Sequence, residues 1–227
     1  SQSLDQAVWR CVTCNACTVA CPRGIDILDI TRAIRRINVA HGQLPDHAQA
    51  PLFSLSHNQN PWNGLHRLRM AWTRDLDLPV AEAHHEYCLF TCCTTAYDPG
   101  VAQHDAVRFL ARLMRNAGIA FGTLGDRERC CGDPANTLGD RSMFEAFREK
   151  NTRLFLDKGL QKIVTTSPHC YHTFRTHYPG LDGNVTVEHH TEMLERLLRT
   201  GQLVPVRETD SIDTFHDPCL KDYHDNR

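Results

Sequence analysis

The chain has 227 residues, of which 41% are hydrophobic and 23% are charged, with 25 Lys and Arg against 27 Asp and Glu. Because these charges nearly cancel, the composition argues against a nucleic-acid-binding protein, which needs a basic surface. No apolar stretch approaches the ~20 residues that cross a bilayer, and no segment has the pattern of a secretory signal. We therefore expect a globular chain with one medium-sized domain and one small one.

The chain contains eleven cysteines, which is a high number for its length. Because the number is odd and the cysteines are clumped, a disulfide framework is less plausible than thiols that bind metal in a reducing compartment. We therefore expect a cytoplasmic protein, in which any membrane association comes through a partner or through sequence outside this chain. Zinc is the competing metal, but it usually takes two well-separated pairs of ligands.

The first motif is the run CVTCNACTVACP, which contains Cys11, Cys14, Cys17 and Cys21. Its C-x₂-C-x₂-C-x₃-C-P spacing is typical of cysteines that bind a 4Fe-4S cluster. In two-cluster ferredoxins the last cysteine of such a run binds the other cluster, and no partner run occurs in this sequence. Either Cys21 closes a single cluster, or the run is the second half of a pair whose first half lies upstream of Ser1.

The segment around this run is predicted to be helical. In GIDILDITRAIRRINVAHG the isoleucines recur at helical spacing, which predicts a helix within residues 1–41. Residues 42–86 contain four prolines and few strand signals, so we interpret them as a linker wrapped over a surface, with one helical stretch in LHRLRMAWTRDL. We expect Trp62 and Trp72 in this linker to be buried.

From residue 87 onward, short apolar runs alternate with helical patterns. Strands are predicted in YCLF, IAFGTL, KIVTTS and VTVEH, and helices over residues 101–117 and 142–158, near Phe174, and over 191–200. This alternation predicts an α/β fold with a parallel sheet flanked by helices. A further strand in IDTFHDPC would open another domain.

The cysteines downstream of the linker mostly follow the predicted strands. They are Cys92 and Cys93, Cys130 and Cys131, Cys170, and Cys219, whereas Cys88 lies inside a strand and is expected in the core. Functional groups collect at the carboxyl ends of the strands in open α/β sheets, so these cysteines can meet in one crevice. Burial as small hydrophobic residues is the plainer interpretation, but a double cysteine followed by glycine at such a loop is an odd choice for a core.

Residues 87–179 resemble the CCG domain, the cysteine-rich domain of the catalytic subunits of heterodisulfide reductase. The family pattern is a cysteine, then CCG, then a closing CxxC. Cys93 begins it here, ERCCGDP supplies the CCG, and TTSPHCYHTF supplies the end, with Ser167 at the first position of the CxxC. FHDPC resembles the start of a second CCG repeat, and NPWNGLHRLRMAW in the linker also resembles the family. A ferredoxin run, a linker and a CCG domain occur in this order in the D-type subunit.

The resemblance implies a small α-helical ferredoxin-like segment followed by a CCG domain with a parallel sheet flanked by helices. We divide the chain into the ferredoxin-like segment at 1–41, the linker at 42–86, a first CCG domain at 87–184, and the incomplete start of a second at 185–227.

The resemblance also implies a set of site residues. One or two ferredoxin-type 4Fe-4S clusters would accompany one CCG-site cluster, cubane or non-cubane. A serine hydroxyl binds iron more weakly than a thiolate does, so a site with four thiolates is as plausible as the family's site with five. Cys92 is either a spare ligand or a small residue at a turn. The implied ligands of the CCG site are Cys93, Cys130, Cys131 and Cys170, with Cys219 as a further metal ligand and His216 as a candidate proton donor for a second site.

The function that the resemblance implies is that of an iron–sulfur subunit in a heterodisulfide-reductase-like oxidoreductase complex. Electrons would pass between a ferredoxin-type cluster and the CCG site, which would act on a disulfide or sulfur substrate. One alternative is a pure electron relay for a flavin dehydrogenase of the glycolate, lactate or glycerol-3-phosphate type, or for a quinone-linked complex. Another is a zinc-bound structural module. Because no nucleotide-binding motif is present, we expect other redox subunits as partners, namely a flavoprotein or a membrane cytochrome, with a disulfide, sulfur or quinone-linked acceptor.

Overall fold

The computed structural model of the chain describes residues 7–97, 101–181 and 183–207, together with 210–212, 214, 216 and 218–220. Its N-terminal part is helical, with α1 at Ala16–Val19, α2 at Ile27–Ala40 and α3 at Asp46–Asn58. Two single turns of 3₁₀ helix, His66–Leu68 and Ala71–Thr73, follow in the linker.

Helix α2 confirms the helix that the isoleucine spacing predicts. Its N-cap is Asp26, whose side chain accepts a hydrogen bond from the backbone N–H of Asp29 at 2.9 Å. The buried face, however, carries Leu28, Arg35 and Asn38, while Ile30 and Ile37 are exposed. The apolar spacing therefore identified the helix but not the side that packs against the protein.

Helix α3 lies inside the segment that was predicted to be a linker. The sequence pattern missed it because Pro51 stands within it, and proline removes one backbone hydrogen bond from a helix interior. Ala48, Leu52 and Leu55 lie on one face at helical spacing and are buried. Burial of this face against the core stabilises the helix in spite of the proline.

The linker tryptophans have different environments. Trp72 is 1% exposed, which confirms its predicted burial, whereas Trp62 is 48% exposed. The prediction for Trp62 was wrong because its ring lines an open cavity rather than the core.

The second part of the chain is an α/β domain. Its strands are β1 at Tyr87–Phe90, β2 at Phe121–Gly122, β3 at Lys162–Thr165 and β4 at Thr186–His189. Its helices are α4 at Cys93–Tyr97, α5 at Val101–Asn116, α6 at Asp133–Leu138, α7 at Arg141–Asp157, α8 at Pro168–His177 and α9 at His190–Arg199. The strands form one parallel sheet in the order β2-β1-β3-β4, which confirms the predicted fold class.

Both faces of this sheet are covered, because successive side chains of a strand point to opposite faces. Cys88 and Phe90 of β1 belong to one core cluster with α7 and α8, and Cys88 is buried as expected. Tyr87 and Leu89 belong to the other cluster, together with side chains of α5 and α9. The domain is therefore a three-layer arrangement of helices, sheet and helices.

Strand β4 and helix α9 lie beyond the predicted domain boundary at residue 185 and pack on the same sheet as β1 to β3. Strand β4 pairs with β3 in register, with Val164 opposite Glu188. Met193 and Leu197 of α9 are fully buried against the same sheet. Residues 186–199 thus extend and cover this sheet, since β3 would otherwise be an exposed edge strand. The division of the chain into domains stays a prediction.

Part of the remaining C-terminal prediction lies outside the described residues. Asp213, Phe215 and Asp217 of the predicted strand IDTFHDPC are among them. The described positions of that stretch, 212, 214, 216, 218 and 219, are not in a strand. In the part of the chain that the structure describes, no helix is long and apolar enough to span a membrane.

Candidate functional site

The candidate site lies at the carboxyl ends of β1 and β3. From β1 the chain moves outward to β2, then returns to β3 on the other side of β1. The loops that follow β1 and β3 therefore leave the sheet in opposite directions, and a crevice opens between them. Cys92 and Cys93 follow β1, and Cys170 lies in the first turn of the helix after β3.

A cavity of about 460 Å³ occupies this crevice. Its wall combines the cysteine-bearing loops with apolar side chains from the linker region and from α6. The residues that line it are Pro51, Pro61, Trp62, Cys92, Cys93, Thr94, Cys130, Cys131, Asp133, Pro134, Thr137, Leu138, Ser167, His169 and Cys170.

The structure brings together the four cysteines that the resemblance implies for the CCG site. The side chains of Cys93 and Cys130, of Cys130 and Cys131, and of Cys131 and Cys170 are close enough to affect one another's pKa, so the four thiols form a continuous group in the cavity wall. Each is at most 7% exposed, and none of the eleven cysteines, all of which the structure describes, is in a disulfide. Four soft sulfur donors from three loops fit an iron–sulfur cluster.

The environment keeps these thiols protonated when no metal is bound. The hydrogen bond with Cys130 and burial raise the pKa of Cys93 well above its ordinary value. For Cys170, the hydrogen bond with Cys131 lowers the pKa, but burial and neighbouring cysteines outweigh it and raise the pKa to about 11. Since metal ligands must be thiolates, metal binding here would release protons.

The backbone of the CCG motif is held by buried polar side chains. Asn151 donates to the carbonyl of Cys130 at 2.9 Å, and the Tyr178 hydroxyl donates to the carbonyl of Cys131 at 2.7 Å. The backbone N–H of Cys130 donates to the carbonyl of Gln59, at the end of α3, at 3.1 Å. Sequence reasoning missed these three residues because they come from three separate elements and carry no local pattern.

Ser167 has a structural task in addition to lining the cavity. It is the N-cap of α8, and its hydroxyl accepts from the backbone N–H of Cys170 at 3.4 Å. On the opposite loop, the Cys92 sulfur accepts from the backbone N–H of Thr95 at 3.4 Å, in the manner of a cap for α4. Both side chains line the cavity and hold the first turn of a helix that carries a candidate ligand.

A histidine–aspartate pair lies at the edge of the cavity. Nδ1 of His169 is 3.0 Å from Oδ2 of Asp133, and the Thr173 hydroxyl donates to Oδ1 of Asp133 at 3.3 Å. Burial lowers the pKa of His169, but its hydrogen bond with Asp133 outweighs burial and raises the pKa. Burial raises the pKa of Asp133, but His169 outweighs it and lowers the pKa. The hydrogen bond between the two side chains thus favours the charged form of each at the edge of the cavity.

The N-terminal run is arranged differently. Cys17 is exposed, and Cys11, Cys14 and Cys21 are half-buried, on a loop that leads through α1. The Cys11 sulfur accepts a hydrogen bond from the backbone N–H of Thr13 at 3.4 Å. Within the described residues, no three His, Cys, Asp or Glu side chains are arranged to hold a single metal ion.

His216 and Cys219 are not among the residues that line the cavity in the described part of the chain. His216 is exposed, and Cys219 is half-buried. The role in a second site that the resemblance implies for these two residues therefore stays a prediction.

Comparison with known proteins agrees with this arrangement. Residues 87–175, which include all four buried candidate ligands, match the CCG family model, described as a cysteine-rich domain. Over 97% of its length the chain is 31% identical to the EtfAB:quinone oxidoreductase of Syntrophomonas wolfei subsp. wolfei, of which it covers 32%. It is 32% identical, over 95% of its length, to the probable iron-sulfur-binding oxidoreductase FadF of Bacillus subtilis, of which it covers 32%.

A further relative is the D-type subunit of the dihydromethanophenazine:CoB--CoM heterodisulfide reductase of Methanosarcina barkeri, with 28% identity over 96% of the chain and 54% of that relative. The chain therefore spans about a third of the first two relatives and about half of this one. No solved structure is significantly similar to it. Residues 87–175 therefore form a CCG domain, and the chain is similar, along nearly its whole length, to the D-type subunit of heterodisulfide reductase.

Proposed function

We propose that this chain is an iron–sulfur electron-transfer subunit of the heterodisulfide reductase type. The observation that carries the proposal is the meeting of Cys93, Cys130, Cys131 and Cys170 in one cavity, because four buried thiols without disulfide partners are suited to binding a cluster. Cys11, Cys14, Cys17 and Cys21 would hold a ferredoxin-type 4Fe-4S cluster. When bound, such clusters supply one-electron transfer.

The chain's own residues would position the ligands and keep water away from them. Asn151 and Tyr178 fix the carbonyls of the CCG loop, and Ser167 fixes the first turn of α8. Trp62 and Leu138 contribute apolar side chains to the cavity wall, and each of the four thiols is at most 7% exposed. Solvent exposure and hydrogen bonds to sulfur are among the factors that set cluster potentials.

A second candidate function is the reduction of a disulfide or another sulfur substrate at the same cavity. The supporting observation is that the cavity is open beside the thiols, with the half-exposed Trp62 ring in its wall. The opposing observation is that Ser167 stands where the family has a fifth cysteine and that its hydroxyl already caps α8. We therefore favour transfer of electrons over disulfide cleavage at this site.

The names of the relatives support redox partners. One relative is named as an oxidoreductase of EtfAB and quinone, and another as a subunit of a heterodisulfide reductase. We extend this to the present chain as an association with a flavoprotein or a membrane cytochrome. A cytoplasmic location with attachment to the membrane through such a partner follows from the same proposal.

Substitution of a candidate ligand tests the proposal. In protein purified without oxygen, we expect iron and acid-labile sulfide, and we expect Cys131→Ala to remove the electron paramagnetic resonance signal of the CCG-site cluster while the N-terminal signal stays. Cys88→Ala is the matched control, since Cys88 is also buried but does not line the cavity. An unchanged CCG-site signal in Cys131→Ala, or colourless protein with stoichiometric zinc, would contradict the proposal.

A separate assay distinguishes electron transfer from disulfide cleavage. Protein reduced with dithionite is mixed with a series of small disulfides, and thiol release is measured together with reoxidation of the clusters. We expect reoxidation by redox partners and little thiol release. Rapid thiol release that is lost in Cys131→Ala would favour the second candidate.

A further inference from the structure

The linker supplies a fully buried arginine beside the candidate ligands. Arg69 is 0% exposed, and its Nε and Nη2 atoms lie 3.0 and 2.9 Å from Oε1 of Glu128, which is also fully buried. Its remaining terminal nitrogen, Nη1, donates to the sulfur of Cys93 at 3.3 Å. One guanidinium thus joins a carboxylate on one side and a candidate cluster ligand on the other.

Arg69 also donates hydrogen bonds to both loops that lead to candidate ligands, the loop after β1 and the loop before the CCG motif. Its Nη2 donates to the carbonyl of Thr91, after β1, at 2.8 Å, and to the carbonyl of Arg129, before the CCG motif, at 3.3 Å. The Glu128 carboxylate accepts from the backbone N–H of Thr91 at 3.0 Å. These contacts hold the guanidinium in one orientation relative to Cys93.

The surroundings of Arg69 favour a permanent positive charge. The guanidinium carbon lies 6.0 Å from the ring centre of Phe90 and 5.9 Å from that of Tyr97. An arginine side chain is not deprotonated in proteins, and the Glu128 carboxylate is in direct contact with this one. A protonated thiol is a weak hydrogen-bond acceptor, so a buried donor aimed at this sulfur is better used by a thiolate or a metal-bound sulfur.

The turn NPWNG, residues 60–64, directs the linker so that the Arg69 side chain reaches the site. Asn60 is fully buried, and its side chain bonds the backbone at Asn58, Trp62 and Gly64. At Gly64 a Cβ atom would overlap the ring of Tyr97, so only glycine lets the turn pass beneath that ring. The turn therefore leads the chain from α3 to Arg69 against the back of the site.

We propose that Arg69 is the buried cation that balances the negative charge of the CCG-site cluster and raises its reduction potential through Cys93. The inference rests on the proposed function, because it requires a cluster at this site. Thiolate ligands place negative charge in a poorly screened interior, and reduction adds more. A fixed positive charge and an N–H donor at the sulfur stabilise the reduced state, whereas Glu128, behind the guanidinium, opposes this effect.

Two charge-removing substitutions test this role because they shift the reduction potential in opposite directions. In the full-length protein with its clusters, Arg69→Gln should shift the midpoint potential of the CCG-site cluster to a lower value. Glu128→Gln should shift it to a higher value, since it leaves the cation unopposed. The titration is run at a pH well above 7, because burial raises the pKa of Glu128 to about 7 and its carboxylate is charged only above that pH. The measurement is a potentiometric titration followed by electron paramagnetic resonance, with the N-terminal cluster as internal reference.

Arg108→Gln is the matched control. Arg108 also holds the linker, through the carbonyls of Trp72 and Arg74 at 2.7 Å each, but among the described residues its hydrogen bonds reach no cysteine. We expect its substitution to leave the CCG-site potential unchanged.

A purely structural salt bridge would give another result. In that case Arg69→Gln and Glu128→Gln would lose iron to a similar extent, and their CCG-site potentials would not shift in opposite directions. That result would overturn the inference. If Arg69→Gln does not retain its cluster, Glu128→Gln decides alone, and an unchanged or lower potential would contradict the inference. A parent protein without a CCG-site cluster would contradict the proposed function as well, whereas a cluster whose potential does not respond would contradict this inference only.

Discussion

Gly132 determines the backbone geometry of the cysteine cavity. Its φ is +86°, and a Cβ atom at this position would lie 2.9 Å from Cδ2 of Phe144. Its N–H donates to the sulfur of Cys130 at 3.4 Å. A side chain at this position would be strained by the positive φ and would crowd Phe144. The glycine therefore lets the loop of Cys130 and Cys131 end, and helix α6 begin at Asp133, within the same cavity wall.

Substitution of this glycine should therefore affect both stability and cluster binding. We expect Gly132→Ala to lower the free energy of unfolding by about 1–3 kcal/mol, from the left-handed backbone and the displaced Phe144 ring, and to reduce iron retention. Gly118→Ala is the control, because Gly118 has a φ of +72° but no described atom within 4 Å of the Cβ it would gain. Urea denaturation of the two variants measures the difference, and an equal loss in both would contradict the role of crowding at Phe144.

Helix α8 is capped by Ser167, which occupies a position where the family has a cysteine. Pro168 occupies the first turn, Ser167 caps it, and Cys170 stands where its N–H reaches the cap. The serine thus satisfies a backbone donor while it occupies a family cysteine position. Capping and metal binding are separable tasks, because only the second needs a thiolate.

Two substitutions at this position separate those tasks. Ser167→Ala should lower the free energy of unfolding by about 1 kcal/mol through loss of the cap and should leave the CCG-site signal unchanged. Ser167→Cys should restore a fifth thiol and increase disulfide cleavage. Iron content, electron paramagnetic resonance and thiol release measure these effects. Loss of the cluster signal in Ser167→Ala would make the serine a ligand and contradict the capping interpretation.

The linker is an integral part of the core. Trp72 packs in the cluster on the α5 and α9 side of the sheet, whereas Trp62 lines the cavity. We expect Trp72→Ala to lower the free energy of unfolding by about 3–5 kcal/mol, and Trp62→Ala to lower it much less. Thermal unfolding of both variants tests this difference. Equal effects would mean that the linker lies on the surface, as the sequence pattern alone suggested.

At the scale of the whole molecule, one side chain joins the N-terminal run to the CCG site. Arg35 on α2 is buried, and its guanidinium donates to the carbonyls of Val8 and Cys11 at 2.8 and 2.5 Å. It also donates at 2.8 Å to the carbonyl of Thr137, a residue of the cavity wall. The loop that carries the first cluster motif is thereby held against the second site, as electron transfer between them would require.

Removal of this side chain should loosen that connection. Arg35→Ala leaves three carbonyls without their charged donor, so we expect a loss of about 2–4 kcal/mol in unfolding free energy and slower electron transfer between the two sites. Arg36→Ala is the control on the same helix, because the ion pair of Arg36 is an exposed contact of 3.9 Å with Asp29. Rapid-freeze kinetics of cluster reduction measure the rate, and equal rates in both variants would contradict the role of Arg35.

The sequence by itself determined the local features of this protein. Alternating apolar runs and helical patterns predicted strands β1 to β4 and helices α5, α7, α8 and α9, because periodicity depends on neighbouring residues. The resemblance to the CCG family singled out Cys93, Cys130, Cys131 and Cys170, and these thiols do meet in the cavity. Their placement followed from one rule, that the carboxyl ends of parallel strands share an edge.

Only the tertiary structure decided which distant residues support that cavity. Arg69, Asn151 and Tyr178 contact the cysteine loops from elements far away in the chain, and no local pattern marks them. The same applies to α3, which persists around Pro51 because its buried face packs on the core, and to β4, which joins the sheet of the first domain. Such features depend on the free energy of long-range packing and burial, which a sequence window does not contain.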